Sequence, residues 1–127
     1  MSTLKLDTIA SRDGTESTDV TNVINGSAKA WVNFNGTGTV AIRESFNVGS
    51  ITDNGTGDYT INFTNAMSNT NYAVVASQAY DNNTVSSSNT TNPPVSNNFA
   101  TGSFRYSTPN AGGTKIDSTY NYIAIYR

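Results

Sequence analysis

The sequence contains no cysteine and no histidine, and these two absences exclude several classes of protein. Without cysteine there is no disulfide framework, no thiolate nucleophile and no zinc–thiolate site. Without histidine there is no imidazole base, no Ser-His-Asp relay and no imidazole metal ligand. The remaining residues show no recognisable arrangement of an acid and a base that could catalyse a reaction. We therefore expect a protein that is not an enzyme, with no catalytic residues, no cofactor and no metal.

Charge and long apolar runs are also scarce. Charged residues make up only 13% of the chain, and the formal net charge is −2. The seven basic residues are scattered, so binding to nucleic acid is not expected. No apolar run is long enough to cross a bilayer, and the N-terminus has no hydrophobic signal core. We expect a protein that reaches a surface as part of an assembly rather than by secretion.

Serine, threonine and asparagine are abundant, in place of charged and apolar residues. They account for 52 of the 127 residues, while hydrophobic residues make up 35%. Seven Tyr, five Phe and one Trp supply bulky side chains for one domain with a thin core. Small domains bury proportionately less surface, so such a core gains from a partner chain, and we expect a homo-oligomer.

Alternation of apolar and polar residues dominates the pattern. In residues 58–64, Tyr59, Ile61 and Phe63 alternate with Thr60 and Asn62, which places the large side chains on one face of a strand. Similar alternation occurs at residues 30–34 and 104–106, and residues 72–80 are expected to form a buried strand. The pattern predicts an all-β fold, an antiparallel β-sandwich of knob-like shape.

The last strand is expected at residues 116–126 and has two apolar faces. Tyr120, Tyr122 and Tyr126 lie on one side, with Ile123 and Ile125 on the other. A strand that is apolar on both faces is expected at the centre of a sheet or at a chain interface. The tyrosine row could also stack on sugar rings, but packing is the favoured interpretation.

Asn-Gly and Asp-Gly pairs between the strands predict tight turns. They occur at Asp13-Gly14, Asn25-Gly26, Asn35-Gly36 and Asn54-Gly55. The pair Asn35-Gly36 gives the clearest hairpin. No helix is expected beyond one short turn in residues 65–71. Calcium is a possible alternative at residues 53–58, where oxygen ligands cluster, but an Asn-Gly hairpin explains the same residues.

Two regions depart from the strand pattern. Residues 1–29 can bury little on their own, so we expect an N-terminal arm for attachment or oligomerisation, followed by a knob domain at residues 30–127. Residues 81–98 are rich in Asn, Ser and Thr, and we expect an exposed loop that contacts a receptor. The predicted receptor-binding residues, in or near this loop, are Tyr80, Asn82, Asn83, Asn89, Phe99 and Tyr106.

A family resemblance adds to this interpretation. The stretches KAWVNFNGTGTVAIRESFNV (residues 29–48) and SITDNGTGDYTINF (residues 50–63) closely resemble a module of tail-fibre and other virion structural proteins of marine phages, including phages of cyanobacteria. The opening STLKLDTI (residues 2–9) resembles the start of such proteins. The resemblance implies a β-sandwich knob that assembles as a homotrimer on the surface of a virion.

The combined expectation is a phage tail-fibre or knob subunit that adheres to the host surface. Residues 1–29 would contact other virion proteins, and the loop would contact a host glycan or protein. One alternative is a capsid decoration or head-fibre protein that cements the particle. A second alternative, from another class, is a carbohydrate-binding module.

Overall fold

The computed structural model describes residues 2–79, 85–87, 99–110 and 112–127, with the backbone alone for residues 85–87. These residues form ten strands and one short helix. The elements are β1 (Thr8–Ala10), β2 (Ser17–Asp19), α1 (Val20–Gly26), β3 (Ala30–Asn35), β4 (Ala41–Phe46), β5 (Val48–Gly55), β6 (Asp58–Phe63), β7 (Ala73–Ala79), β8 (Val85–Ser87), β9 (Ser103–Ser107) and β10 (Tyr120–Tyr126).

The strands divide into three sheets, and their pairs are antiparallel. The large sheet has the strand order β4-β3-β10-β7-β8, and the small sheet has the order β5-β6-β9. These two sheets pack together as a β-sandwich. The all-β antiparallel sandwich predicted from the sequence is therefore confirmed. Strands β1 and β2 form a separate hairpin in the N-terminal arm.

The core is one layer of side chains between the two sheets. On β6, Tyr59 and Ile61 are fully buried, as the alternation predicts. On β10, Ile123 and Ile125 are buried against them, and Phe34 of β3 is fully buried in the same cluster. Each large apolar side chain in such a layer contributes about 1.5–3 kcal/mol to the free energy of unfolding.

Strand β10 lies at the centre of the large sheet, between β3 and β7. This position confirms the expectation for a strand with two apolar faces. The strand begins at Tyr120, however, and not at Ile116 as predicted. The main-chain N–H of Ile116 instead donates to the carbonyl oxygen of Thr108, at 2.9 Å, which holds this segment beside the end of β9.

The hydroxyl group of Tyr59 links the small sheet to two segments next to the large sheet, one that follows β3 and one that precedes β10. It lies 3.0 Å from the carbonyl oxygen of Gly36 and 2.9 Å from Oδ1 of Asp117. The main-chain N–H of Gly57 donates to the same carboxylate oxygen, at 2.7 Å. Burial, together with the Asp117 carboxylate, raises the pKa of Tyr59 above its ordinary value, because both disfavour the phenolate. The hydroxyl therefore remains a donor.

Asparagine–glycine pairs mark the hairpins, with one shift of position. The predicted Asn35-Gly36 hairpin is confirmed between β3 and β4, although its loop spans residues 36–40. The Asn54-Gly55 pair was expected to form the next turn, but Gly55 still pairs within β5. The turn itself is formed by Thr56 and Gly57. Gly57 has the left-handed backbone that the turn needs, with a φ of 59°.

The N-terminal arm contains a helix that was not expected. Helix α1 (Val20–Gly26) has Val20, Val23 and Ile24 at the i, i+3, i+4 spacing of one helical face. That spacing was the available signal, and the poor helix propensity of its Val, Thr, Asn and Gly residues obscured it. The single helical turn expected at residues 65–71 is absent, since these residues form bends and irregular structure.

The arm exposes nearly all of its side chains. Residues 2–19 and 21–27 are exposed, and Val20 is half-buried. The sandwich begins at Lys29, whose main-chain N–H donates to the carbonyl oxygen of Ile125, at 2.7 Å. The predicted loop at residues 81–98 is also partly wrong, because Val85–Ser87 form strand β8 against β7. The rest of that loop lies outside the described residues.

We predict that Gly36→Ala lowers the free energy of unfolding by about 1–3 kcal/mol, the usual cost of overpacking. An added Cβ would lie 2.5 Å from the Tyr59 hydroxyl oxygen and 2.9 Å from the carbonyl oxygen of Ser118. Gly102→Ala is the matched control, because its Cβ would meet no atom within 4 Å. Urea unfolding of both variants checks this, and equal midpoints would contradict the close contact.

Candidate contact surfaces

The outer face of the large sheet carries a row of apolar side chains across four strands. The register aligns Phe46 of β4 with Trp31 of β3, Trp31 with Ala124 of β10, and Ala124 with Val75 of β7. Phe46 is 53% exposed, Trp31 37% and Val75 62%. We call this row, together with Tyr126 at its border, the apolar face. Apolar side chains gathered in one patch mark an interaction surface more often than isolated ones do.

A shallow recess lies along the apolar face. Its volume is about 380 Å³, and its lining is mostly apolar. Trp31 and Val75 stand on opposite sides of Ala124, whose small side chain leaves the space between them. Tyr122 lines the recess in the next row, where it aligns with Asn33 and Ser77. The recess therefore offers apolar walls with polar groups along one border.

The tyrosines of β10 are held in place on this outer face. The rings of Tyr120 and Tyr122 stack with centroids 6.2 Å apart and an interplanar angle of 11°. The guanidinium of Arg43 lies 4.2 Å from the centroid of the Tyr120 ring, a favourable cation–π distance. Nη1 of Arg43 also donates to Oδ1 of Asn33, at 3.4 Å. The Tyr120 ring is thus already covered on one side.

The outer face of the small sheet has the opposite chemistry. Its side chains are hydroxyls and amides that bond to one another across the strands. Nδ2 of Asn62 donates to Oγ of Ser50 at 3.2 Å and to Oγ1 of Thr52 at 3.0 Å. Nδ2 of Asn54 donates to Oγ1 of Thr60 at 2.9 Å. We call this surface the amide–hydroxyl face. Apart from Asp58 at the start of β6, the residues that form these bonds are uncharged, and they present ordered hydrogen-bonding groups to solvent.

A buried carboxylate with two cations closes one end of the amide–hydroxyl face. Asp58 is only 5% exposed, and its Oδ1 accepts from Nε of Arg105 at 2.5 Å. Its Oδ2 accepts from Nη2 of Arg105 at 2.7 Å and also from Nζ of Lys115. The bidentate Arg105 is the largest cause that lowers the pKa of Asp58 to about 2. Burial opposes this shift, and Lys115 adds to it.

This ionised carboxylate has a structural role. It ties β6 to β9 and to the segment before β10, and both of its oxygens are occupied by the two cations. A carboxylate with a pKa near 2 holds no proton to donate at neutral pH, and it is a weak base. Asp58 therefore does not resemble a general acid or base.

Two of the six predicted receptor-binding residues lie in the described part of the chain. Phe99 is 39% exposed and follows directly after residues 80–98. Tyr106 is 5% exposed and packs edge-on against Phe34, with ring centroids 6.2 Å apart. The ring of Tyr106 is therefore part of the core and offers little surface to a receptor. The other four (Tyr80, Asn82, Asn83 and Asn89) lie outside the described residues.

Phe99 is held by a cluster of aromatic rings at the edge of the small sheet. Its ring stacks on Phe104 at 6.1 Å and 13°, and it contacts Tyr72 at 5.3 Å. The Tyr72 hydroxyl lies 3.0 Å from the carbonyl oxygen of Ala100 and 3.2 Å from that of Ser103. Burial raises the pKa of Tyr72 to about 12, so this hydroxyl stays protonated. Phe99 is thus a partly exposed ring that packs against two other rings.

Neither outer face is evident as a surface in the sequence. The tyrosines of β10 are evident there, but the alignment of Trp31, Phe46 and Val75 across the strands is not. Asn121 was also not predicted as a core residue, although it is fully buried and donates to the carbonyl oxygen of Ser118 at 2.9 Å. Alternation with Ile123 and Ile125 was the available signal for its inward position.

Among the described residues, no three His, Cys, Asp or Glu side chains lie close enough together to hold a metal ion. The calcium alternative at residues 53–58 therefore gains no support from this part of the chain. Asp53 accepts from the main-chain N–H of Gly55, at 2.9 Å, as expected for turn chemistry. No described helix is both long enough and apolar enough to cross a membrane.

We predict that Asp58→Asn lowers the free energy of unfolding at pH 7 by on the order of 2 kcal/mol. The pKa of Asp58 is about 2 in the folded protein and near 3.8 in the unfolded chain, so its stabilising effect is complete above about pH 5. It is lost as the pH falls toward 2. Urea unfolding at pH 7, 5 and 3 should show the difference between wild type and variant shrinking.

The exposed carboxylate of the arm supplies the control for this measurement. Asp7→Asn removes a charge without touching the sandwich, and it should leave the midpoint unchanged at each pH. A difference between wild type and Asp58→Asn that stays constant from pH 7 to pH 3 would show that the ion pairs do not stabilise the fold.

The chain was compared with models of protein families, with curated proteins and with solved structures, and it matches none of them.

Proposed function

We propose that the chain is a structural subunit of a bacteriophage particle, a tail-fibre or knob protein that assembles with copies of itself and adheres to the host surface. The observation that carries this proposal is the resemblance of residues 29–48 and 50–63 to the virion module described above. These residues form β3, β4, β5 and β6, which contribute two strands to each sheet of the sandwich. The resembling stretch is thus a large part of the folded domain.

The surface chemistry supports a role in contact rather than in catalysis. The amide–hydroxyl face and the half-exposed ring of Phe99 are groups that can bind a polar, uncharged partner such as a glycan. Hydrogen bonds and stacking at one such site are weak, but several copies on one particle raise the overall affinity by avidity. Residues 81–98, which include β8 (Val85–Ser87), directly precede Phe99 in the sequence and stay the predicted receptor-binding segment.

The N-terminal arm and the apolar face supply attachment. Leu4, Leu6 and Ile9 are 80%, 49% and 45% exposed, and an arm with so many unburied apolar side chains gains stability when another surface covers it. These features also favour the alternative of a capsid decoration protein, whose task is to cement the particle. In that case the arm would bind the capsid and no receptor would be involved.

We predict that gold-labelled antibody against the protein marks the tail or its tip on purified phage particles in electron micrographs. The control is antibody that has been absorbed with the purified protein. Label on the capsid lattice would exclude the tail position and favour the cementing role. Label on neither would contradict a virion protein of either kind.

We also predict that deletion of residues 2–27 leaves a folded sandwich but weakens incorporation into particles. The cut falls before Lys29, whose main-chain contact with Ile125 belongs to the sandwich. Circular dichroism and thermal unfolding should show a strand-rich, cooperative domain, while the amount of protein on particles falls. Unfolding of the shortened chain at room temperature would show that the arm is part of the core.

A further inference from the structure

Two separate groups of apolar side chains remain exposed in the described chain. One group is in the N-terminal arm, where Leu4 is 80% exposed and Leu6 49%. The other is the apolar face, where Val75 is 62% exposed and Phe46 53%. Both groups would lower the free energy of the protein if they were covered, by about 25 cal/mol for each Å² of apolar surface removed from water.

We propose that the arm of one copy packs on the apolar face of a second copy, with the apolar side chains of residues 4–9 in the recess between Trp31 and Val75. The occupant of the recess is thus a second copy of this chain. The inference deepens the proposed function, because it identifies the two surfaces through which the subunits of the virion protein assemble. Each copy carries one arm and one face, so the contact is head-to-tail and can close into a ring.

The arm does not pack on the apolar face of its own chain, because residues 2–19 are exposed and no arm residue lines the recess. The main-chain N–H of Ser27 donates to the carbonyl oxygen of Val23 at 3.1 Å, and its hydroxyl donates to that of Ile24 at 3.1 Å. Nζ of Lys29 also contacts the carbonyl oxygen of Ile24. On the other side, Nδ2 of Asn47 donates to the carbonyl oxygen of Lys29, at 3.1 Å. The joint is therefore bonded on both sides, and the arm beyond it leaves the recess open.

The total area that each subunit can bury also favours arm-to-face packing over face-to-face packing. Four strands at about 4.8 Å and a strand of seven residues at about 3.3 Å per residue give the outer side of these strands, which includes the apolar face, a footprint of about 440 Å². A stable interface buries about 800 Å² on each partner. Two faces pressed together would fall short of this value and would leave both arms exposed. A subunit in a ring buries its arm on one neighbour and its face on the other.

Complementation between two defective chains tests this arrangement. The arm variant is Leu4→Asp with Leu6→Asp, and the face variant is Val75→Asp. Each removes one half of the contact, and all three positions are exposed, so neither change disturbs the core. Thr56→Asp is the matched control, since it adds the same charge to an exposed position in the turn between β5 and β6, outside both the arm and the apolar face. Thermal unfolding confirms that each chain is folded.

Native mass by light scattering is the measurement. We expect wild type and Thr56→Asp to be oligomers, while the arm variant and the face variant each have the 13.5 kDa mass of one chain. An equimolar mixture of the two variants should contain complexes of two chains, because the intact arm of one binds the intact face of the other. Arm-to-arm and face-to-face association do not give this result.

Three outcomes would overturn the inference: a monomeric wild-type chain, variants that remain oligomeric, or a mixture that stays monomeric. None of them bears on where the protein sits on a particle. Label on the tail together with a monomeric chain in solution would reject the arm-to-face contact and self-assembly, while the proposed location on the virion would stand.

Discussion

One layer of side chains between two sheets holds this protein together, and its thinness determines what the surfaces look like. Every second residue of a strand points into the layer, so Ile123 and Ile125 of β10 are buried there. The residues between them must point outward, because successive side chains alternate across a strand. The central strand is apolar on both sides, and so one row across the outer side of the large sheet is apolar as well. No third layer covers it in the described chain.

The regular parts of the fold could be predicted because alternation is a local property of the sequence. Tyr59 and Ile61 face the core, as their spacing indicates. Both faces of β10 are apolar near its C-terminal end, and this pattern indicated a central strand. The Asn35-Gly36 hairpin followed from turn chemistry, which involves only neighbouring residues. The sandwich was predictable for the same reason, since runs of alternating strands joined by tight turns have few other ways to cover their apolar faces.

The parts that failed depend on contacts between residues far apart in the chain. Alternation places Tyr106 on a strand, but only the pairing of β9 with β6 shows that its ring packs against Phe34 and is covered. Strand β8 forms from Val85–Ser87 because β7 provides its partner, whereas its own residues resemble a loop. The alignment of Trp31 with Val75 through Ala124 requires the register of three strands. The register of the paired strands could therefore not be predicted from the sequence, and the candidate surfaces depend on that register.

The two outer faces differ in what a partner would gain by binding them. The apolar face offers apolar surface area. Removing that area from water is favourable and does not require a specific orientation of the partner's groups. The amide–hydroxyl face instead offers hydrogen bonds, which depend on the direction of donor and acceptor. Asn62 holds Ser50 and Thr52 in place before any partner arrives, so less side-chain entropy is lost on binding. In the assembly that we propose, the apolar side would pack against another subunit and the pre-ordered polar side would contact a ligand. Assembly and recognition would then use opposite sides of the same sandwich, with the polar side facing outward.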